Sequence, residues 1–458
     1  MPRRNRRSVL ASLGVLGTIS LVGCSGFTGR KGGPPASRPT VEPTTTLRPP
    51  TTESTPVKTA PVTATATATT RPTATMPGGV SKVLAEDGES SALFGYSLGA
   101  SGDTMFVGAA SDTTRRGEYS GSVYVFEEVD GQWRQAEKLV PEPNWSGEQF
   151  GSIVAVDGSV GLVAGSTGDS IGRVSAFERT ENGWEEQTTF PIEDESTRVF
   201  GESIGISGET AFVSDRWAHE ATELEEGGGV RVYERTDETW ERQTVLEPAE
   251  YEPHHMVAMD MACTEGTAFV DHYRPEGPNT VDVFERSPAG WEQQAVLEKG
   301  KARPENEFAA FGASISASEC TAVVGASQEE SGAGAAYIFE RSAGDWTGVQ
   351  RLTASDGDSE DVFGAETAIE EDFAVIGAIY DEDPRGDNCG SAYVFERRGR
   401  KWKEYAKLVA PDGESRDYFG RNIKILNGTV LVGAHSDDNS GGEAAGAVYL
   451  FDLSTVLG

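Results

Sequence analysis

Residues 311–346 read FGASISASECTAVVGASQEESGAGAAYIFERSAGDW. Apolar segments begin at Phe311, at Thr321 (TAVVGA) and at Ala335 (AAYIFER), and a fourth segment opens at Trp346. Short runs of apolar, β-branched and aromatic residues, separated by Gly, Ser and Asp turns, are typical of β-strands. The stretch therefore predicts one antiparallel sheet of four strands.

The same unit recurs along the chain. A divergent copy opens with Val257-Ala258. The other six copies open with a Phe-Gly pair, at Phe94, Phe150, Phe200, Phe311, Phe363 and Phe419. Consecutive starts lie roughly 50 to 57 residues apart, a period typical of propellers and stacked arrays. We therefore predict an all-β fold, a seven-bladed β-propeller in which a ring of four-stranded antiparallel blades buries the faces that one sheet leaves exposed.

The seventh copy lacks a fourth strand, because the chain ends shortly after Tyr449. The missing strand has a candidate at the other end of the domain. Residues 82–90 (KVLAEDGES) resemble residues 407–415 (KLVAPDGES), where the fourth strand of the sixth copy is expected. We expect residues 80–85 to complete the seventh blade, which closes the ring and removes a free sheet edge.

The chain carries 73 acidic residues against 39 lysines and arginines, a formal net charge of -34. Phosphate binding needs the opposite sign, so the composition excludes nucleic acid as a general partner. An acidic, solvated coat with few lysines resembles that of proteins from salt-loving archaea. Salt lowers the electrostatic self-repulsion of such a surface.

Residues 1–23 resemble an export signal. Arg6-Arg7 fits a twin-arginine motif, and the apolar run that follows is too short for a firm membrane span. Leu21-Val22-Gly23-Cys24 resembles a lipobox, in which Cys24 becomes the lipidated first residue. An ordinary signal peptide with a chance cysteine is the alternative. Acyl chains on Cys24 would hold the protein at the outer face of the cell membrane.

Residues 24–79 are predicted to be the lipidated cysteine and a disordered stalk, since Thr, Pro and Ala dominate and supply no core. The threonine content suggests O-glycosylation of this stalk. The propeller is assigned to residues 80–458.

The pattern Phe-Gly, then Val-Gly-Ala, then Gly-x-x-Tyr-Val-Phe-Glu resembles the FG-GAP repeat over residues 80–458. That family includes the propeller of integrin alpha subunits and many secreted microbial proteins. The resemblance implies adhesion, or binding of protein or carbohydrate. Integrin-type repeats carry a D-x-D-x-D-G calcium loop between strands one and two. This chain has short turns there, such as Ser101-Gly102-Asp103-Thr104, so calcium is not expected in those hairpins.

Antiparallel order places the one–two and three–four turns on one end of the ring, here named the tight-turn face. The two–three and four–one loops share the opposite end, the variable face, and include the long segments 214–229, 378–390 and 434–446. Irregular loops on a rigid scaffold are the usual seat of binding. We expect a monomer that binds an extracellular protein or carbohydrate through the variable face.

All five histidines map to the variable face. The small residues that follow strand two elsewhere become Ser214-Asp215 in copy three and Asp271-His272 in copy four. Imidazole and carboxylate together suit a divalent, zinc-like metal. Simple drift of copy four explains the same pattern without a metal. The candidate ligands are His254, His255, Asp271, His272, Asp215 and His219.

Three further signals are local. Cys263 and Cys320 flank the first hairpin turn of neighbouring copies, and either a disulfide or two free thiols fits the sequence. Asn144 and Asn427 begin glycosylation sequons. The tripeptide at residues 385–387, which integrins recognise, is most simply a coincidence.

The sequence contains no Gly-x-Ser-x-Gly elbow, phosphate loop or His-Glu-x-x-His motif. The first hypothesis is therefore a non-catalytic, lipid-anchored binding module. The second is a secreted metal-dependent hydrolase or lyase with its site on the histidine-bearing face. The third is a structural component of the cell envelope without a discrete ligand.

Overall fold

The protein was analysed as a computed structural model. It describes residues 74–75, 79–114, 117–140, 149–167, 170–191, 198–217, 228–236, 239–250, 252, 255–275, 277–299, 310–382 and 385–456. Seven antiparallel sheets follow one another as the blades of a β-propeller, which confirms the predicted fold. The innermost strand of each blade contacts that of the next, and the last contacts the first.

Two short strands precede the first blade, β1 (Ala74–Thr75) and β2 (Ser81–Val83). Blades 1 to 6 each contain four strands that lie side by side in chain order, from the axis outwards. Blade 1 is β3 (Phe94–Ser101), β4 (Thr104–Ala109), β5 (Ser122–Val129) and β6 (Gln132–Leu139). Blade 2 is β7 (Ile153–Asp157), β8 (Val160–Thr167), β9 (Ser170–Thr180) and β10 (Gly183–Thr189). Blade 3 is β11 (Arg198–Ser207), β12 (Thr210–Trp217), β13 (Gly229–Arg235) and β14 (Trp240–Leu246).

Blade 4 is β15 (Met256–Thr264), β16 (Thr267–Tyr273), β17 (Thr280–Ser287) and β18 (Gly290–Leu297). Blade 5 is β19 (Phe311–Ser318), β20 (Thr321–Ala326), β21 (Ala335–Ser342) and β22 (Asp345–Leu352), with helix α1 (Glu329–Gly332) in its two–three loop. Blade 6 is β23 (Phe363–Glu370), β24 (Phe373–Ala378), β25 (Ser391–Arg398) and β26 (Lys401–Leu408). Blade 7 contains β27 (Asn422–Leu426), β28 (Thr429–Ala434) and β29 (Ala447–Asp452), and helix α2 (Leu453–Val456) follows it.

Blade 7 is completed from the other end of the domain, as predicted. Strand β2 pairs antiparallel with β29, with Lys82 opposite Tyr449. Strand β1 then pairs with β2 as a fifth, outermost strand, with Ala74 opposite Lys82. Two residues of the range predicted as stalk therefore belong to the sheet. The signal segment, Cys24 and residues 25–73 lie outside the described residues.

The Phe-Gly pairs form the joints between blades. Phe94 is fully buried and packs edge-on against Tyr124, with ring centroids 5.3 Å apart. It shares an apolar cluster with Val83 of β2 and Leu431 of blade 7, so it fills the space between the last blade and the first. This joint shows why a large aromatic residue recurs at the start of each copy.

Two glycines of blade 1 show why the repeat needs small residues where one blade meets the Phe-Gly pair of the next. A Cβ added to Gly108 would lie 2.0 Å from the carbonyl oxygen of Gly151 in the next blade. At Gly121, where φ is +75°, a Cβ would lie 2.2 Å from the carbonyl oxygen of Phe150. Neighbouring backbones approach so closely at these points that only hydrogen fits.

The tight-turn face is bridged by ion pairs between neighbouring blades. The Phe-Glu-Arg end of the third strand recurs, so that its arginine reaches the glutamate of the preceding blade. Five consecutive joints carry the pair: Arg179–Glu127, Arg235–Glu178, Arg286–Glu234, Arg341–Glu285 and Arg397–Glu340. A single exposed ion pair contributes about 0 to 1 kcal/mol to stability, but the five pairs together link blades 1 to 6 along this face.

Candidate functional site

Blades 1, 6 and 7 carry the same polar cluster beneath the variable face. In blade 7, the Lys82 ammonium lies 2.8 Å from both Asp412 and Asp437. The Tyr449 hydroxyl donates to the same carboxylates, at 2.7 Å and 2.6 Å. The equivalents in the other two blades are Lys138, Asp87, Asp112 and Tyr124, and Lys407, Asp356, Asp381 and Tyr393.

The three aspartates of the four–one loops do more than form turns. Burial opposes the ionisation of Asp87, but hydrogen bonds from Lys138 and Tyr124 outweigh it and lower its pKa. The same balance lowers the pKa of Asp356 and of Asp412. In each cluster one lysine and one tyrosine hydroxyl link two aspartates of different loops, so its role is to hold the long loops against the blade.

Blade 3 replaces the third-strand tyrosine with Arg231. The Arg231 Nε donates to Asp215 Oδ2 at 2.6 Å, and both side chains are almost fully buried. The guanidinium also lies over the Phe200 ring, 5.3 Å from its centroid. Asp215, a predicted metal ligand, is thus one half of a buried ion pair.

Blade 4 places an aspartate, Asp282, at the same third-strand position. His272 Nδ1 lies 2.9 Å from Asp282 Oδ2, and His272 Nε2 lies 2.8 Å from His255 Nδ1. Gln293 donates to the other oxygen of Asp282 at 2.7 Å. His272 and Asp282 are completely buried. The structure therefore brings together two of the predicted ligands, His255 and His272, in a hydrogen-bonded chain that ends on Asp282.

This chain occupies both ring nitrogens of His272, so a metal could bind there only after His255 or Asp282 moved away. Asp271, another predicted ligand, accepts hydrogen bonds from the backbone nitrogens of Met259 and Asp260, at 2.7 Å and 3.1 Å. Among the residues that the structure describes, no group of three His, Cys, Asp or Glu side chains is arranged to hold a metal ion. His219 and His254 lie outside that set, and the metal site stays a prediction.

Sequence reasoning missed Arg231 and Asp282. The signal was present in the third strands, where GVRVYER and TVDVFER carry a charged residue at the position that tyrosine occupies in SVYVFEE. Of the other predicted sites, Asn427 lies exposed in the β27–β28 turn, and Asn144 falls outside the described residues. Cys263 and Cys320 are free thiols, so the disulfide alternative is not realised in this structure.

An axial cavity of about 200 Å³ lies at the variable-face end of the ring. Every blade contributes residues to its wall from the first half of its innermost strand, and blade 6 adds Ile379 from a loop. The charged wall residues are Glu202, Asp260, Glu366, Arg421 and Lys424. The cavity was not predicted, because its wall combines single positions from seven separate copies.

Opposite charges share this cavity. The Lys424 ammonium lies 3.9 Å from Glu366, and burial raises the pKa of Glu366 to about 7 although Lys424 opposes the rise. Burial also raises the pKa of Asp260, and the charges of Glu366 and Asp271 add to the effect. The carboxyl groups of Glu366 and Asp260 are therefore easier to protonate than carboxyl groups on the surface.

A family model described as the FG-GAP repeat matches residues 78–126, 346–395 and 402–451. Each match begins in or just before the fourth strand of one blade and ends in the third strand of the next, so the chain contains FG-GAP repeats that span blade joints. No curated protein matches the chain.

Similar solved structures include a 6-phosphogluconolactonase-like protein from Bacteroides uniformis, at 13% identity and a TM-score of 0.47. The match covers 70% of this chain and 86% of that one. A similar protein from Bacteroides fragilis matches at 10% identity and a TM-score of 0.41, over 70% of this chain and 85% of that one. In the part of the chain that the structure describes, none of the helices has the length and apolarity to cross a membrane.

Proposed function

We propose that this protein is a lipid-anchored cell-surface module that binds an extracellular protein or carbohydrate through the variable face of its propeller. One observation carries the proposal, namely the difference between the two faces. The tight-turn face consists of short hairpins joined by ion pairs from blade to blade. The long two–three loops and the axial cavity lie at the opposite end.

Part of the variable face is also held in place for binding. The loops of blades 1, 6 and 7 are held by lysine–aspartate–tyrosine clusters, in each of which one aspartate is buried. A fixed loop loses less conformational entropy when a ligand binds, and this favours affinity. The surface location rests on the sequence alone, through the lipobox that ends at Cys24 and the Thr/Pro-rich segment that follows it.

The two faces can be tested separately by attaching a bulky polymer to one cysteine at a time. Cys320 is exposed in the β19–β20 turn of the tight-turn face, whereas Cys389 is buried. Burial raises the pKa of Cys263 to about 12, so that thiol reacts slowly with maleimides. Tyr119, which is 56% exposed, provides a position on the variable face.

The experiment compares two variants of the full-length chain, each labelled with polyethylene glycol maleimide. The first carries Cys24→Ser and is labelled at Cys320. The second carries Cys24→Ser, Cys320→Ser and Tyr119→Cys and is labelled at position 119. Binding to a glycan array and to isolated cell envelopes is measured before and after labelling. We expect polymer at position 119 to weaken binding at least tenfold and polymer at position 320 to leave it unchanged.

Equal binding by the two labelled variants, or a loss confined to polymer at Cys320, contradicts the assignment of the variable face. Absence of binding by the unlabelled chain favours the hypothesis of a structural envelope component instead.

A further inference from the structure

Three tyrosines near the axis differ from the tyrosines of the third strands. The hydroxyls of Tyr124, Tyr337, Tyr393 and Tyr449 all donate to carboxylates. In contrast, the hydroxyls of Tyr96, Tyr380 and Tyr418 form no hydrogen bond with any residue that the structure describes. These three side chains are half-buried and lie in blade 1, in a loop of blade 6 and at the entrance to blade 7. Their hydroxyls are therefore available to a ligand.

The three tyrosines belong to one chain of ring contacts around His435. The Tyr418 ring stacks on the His435 imidazole, with centroids 5.5 Å apart and planes inclined by 13°. Tyr96 packs edge-on against the same imidazole at 5.6 Å, and Tyr380 packs edge-on against Tyr418 at 5.9 Å. Three consecutive blades of the closed ring thus supply one aromatic cluster.

His435 is a buried polar group without a partner. Only 8% of it is exposed, and its Nδ1 has no hydrogen bond within the described part of the chain. Burial, followed by the charge of Arg421, lowers the pKa of His435 to about 3. The imidazole is therefore neutral at physiological pH and presents one donor and one acceptor. Because Nδ1 has almost no exposed surface, an outside ligand does not reach it, and His435 instead supports the Tyr418 ring that stacks on it.

Arg421 completes the cluster at the cavity wall. Its guanidinium lies over the Tyr96 ring, 5.2 Å from the centroid. No carboxylate within the described ranges forms an ion pair with it, although acidic residues outnumber basic ones in this chain. The arginines of the blade joints, by contrast, each contact a glutamate. The charge of Arg421 opposes the rise in the pKa of Glu366, but the guanidinium forms no ion pair within the described ranges. It is therefore suited to bind a carboxylate of a ligand through two parallel hydrogen bonds.

We propose that Arg421, Tyr96 and Tyr418, supported by the buried His435, form a site for a carboxylated sugar, such as a uronic acid residue at the end of a glycan. The guanidinium binds the sugar carboxylate, and the tyrosine rings pack against the apolar face of the sugar ring. The tyrosine hydroxyls bind its hydroxyl groups. The cavity behind them is small, and the net charge of -34 repels extended polyanions, so a single acidic residue fits better than a polyanionic chain.

This inference rests on the proposed function, because it names the ligand class for the same face. The probes are galacturonic acid and its methyl ester, which differ in one methyl group and in the single carboxylate charge, titrated calorimetrically into the full-length chain at constant salt. We expect the acid to bind at least tenfold more tightly than the ester. Arg421→Gln should abolish that preference, and Tyr418→Ala should weaken binding of both probes.

Two controls accompany these variants. Arg398→Gln removes an exposed arginine of the tight-turn face, which pairs with Glu396, and should leave both affinities unchanged. Tyr418→Phe keeps the ring but removes the hydroxyl, so it should bind more weakly than the parent chain and more tightly than Tyr418→Ala. Near-ultraviolet circular dichroism of each variant verifies that the propeller is folded.

Equal affinity for acid and ester, no binding of either probe, or an undiminished preference in Arg421→Gln overturns the site. The proposed function survives these results if polymer at position 119 still blocks binding to arrays or envelopes. The proposed function fails on its own test if polymer at position 119 has no effect on binding.

Discussion

At the level of single residues, burial of Glu366 in the axial cavity destabilises the folded state at neutral and alkaline pH. Its pKa is raised to about 7, mainly by burial. The folded state therefore binds a proton that the unfolded chain, with a glutamate pKa of about 4.3, has already released. This contribution to stability is present below the unfolded pKa, and it is lost as the pH rises through the interval from about 4.3 to about 7.

Replacement of Glu366 by Gln should remove this pH dependence. At pH 8 we expect Glu366→Gln to raise the free energy of unfolding by about 2 kcal/mol, a figure that allows for the partial exposure of the side chain. At pH 4.5 the variant and the parent chain should differ little. Denaturant titrations at the two pH values measure the effect, with the exposed Glu371→Gln as the control. An equal effect at both pH values would contradict the argument.

The buried chain of blade 4 makes a second prediction at this scale. Removal of Asp282 leaves His272 without its carboxylate partner in a site that water does not reach. Breaking one side of a buried pair typically costs about 3 to 5 kcal/mol. We therefore expect Asp282→Ala to lower the free energy of unfolding by about 3 kcal/mol, measured by urea denaturation.

The matched control is Asp345→Ala, at the exposed first residue of β22 beside the tight turn. A loss for Asp282→Ala no larger than for this control would show that the hydrogen-bonded chain has no structural role. Bound zinc can be measured on the same samples by mass spectrometry, which tests the predicted metal site directly.

At the level of elements, the repeat predicted the strands because turn chemistry and apolar runs coincide in most copies. In blade 5 the expected segments beginning at Phe311, Thr321 and Ala335 are strands with those starting points. Strand β1 escaped prediction because Ala74–Thr75 resembles the Thr-rich segment before it. Its pairing depends on the edge of β2, which local sequence does not reveal.

The closing strand makes a prediction about the whole of blade 7. Deletion of residues 80–86 removes the pairing with β29, the burial of Val83 and both ion pairs of Lys82. It also leaves Asp437 buried without its cation. We expect a fall in melting temperature of about 5 °C, because an unfolding entropy of about 2.1 cal/mol/K per residue gives roughly 1 °C per kcal/mol for a domain of this size.

Calorimetry of the deletion variant measures this effect, with deletion of residues 60–66 in the predicted stalk as the control. A melting temperature equal to that of the control would mean that β2 does not stabilise the ring.

At the level of the whole molecule, closure of the ring creates the sites that no single copy encodes. Tyr96, Tyr380 and His435 lie far apart in sequence, and blade 1 meets blade 7 only because the circle closes. Sequence analysis could therefore identify the variable face, which follows from strand order, but not the aromatic cluster on it. The same limit applies to Asp282, whose contact with His272 depends on the register between β16 and β17.

The proposed lipid anchor in the N-terminal segment makes a prediction about where this face is displayed. If Cys24 is acylated, the Thr/Pro-rich segment that follows places the propeller at a distance from the membrane, since proline-rich chains extend by about 3.1 Å per residue. We expect Cys24→Ser to prevent incorporation of a labelled fatty acid and to shift the protein from the membrane fraction to the medium. A single acyl group binds membranes only weakly. Partial release of the unmutated protein into the medium would therefore indicate that it carries one acyl group rather than two.

Replacement of Arg6 and Arg7 by lysines distinguishes the export route from the anchor. This change should retain unprocessed protein inside the cell, because the twin-arginine route reads that pair, whereas Cys24→Ser should still be exported. Membrane retention of the Cys24→Ser protein would contradict the lipid anchor, and the propeller would then have to be held at the surface by its own contacts with the envelope.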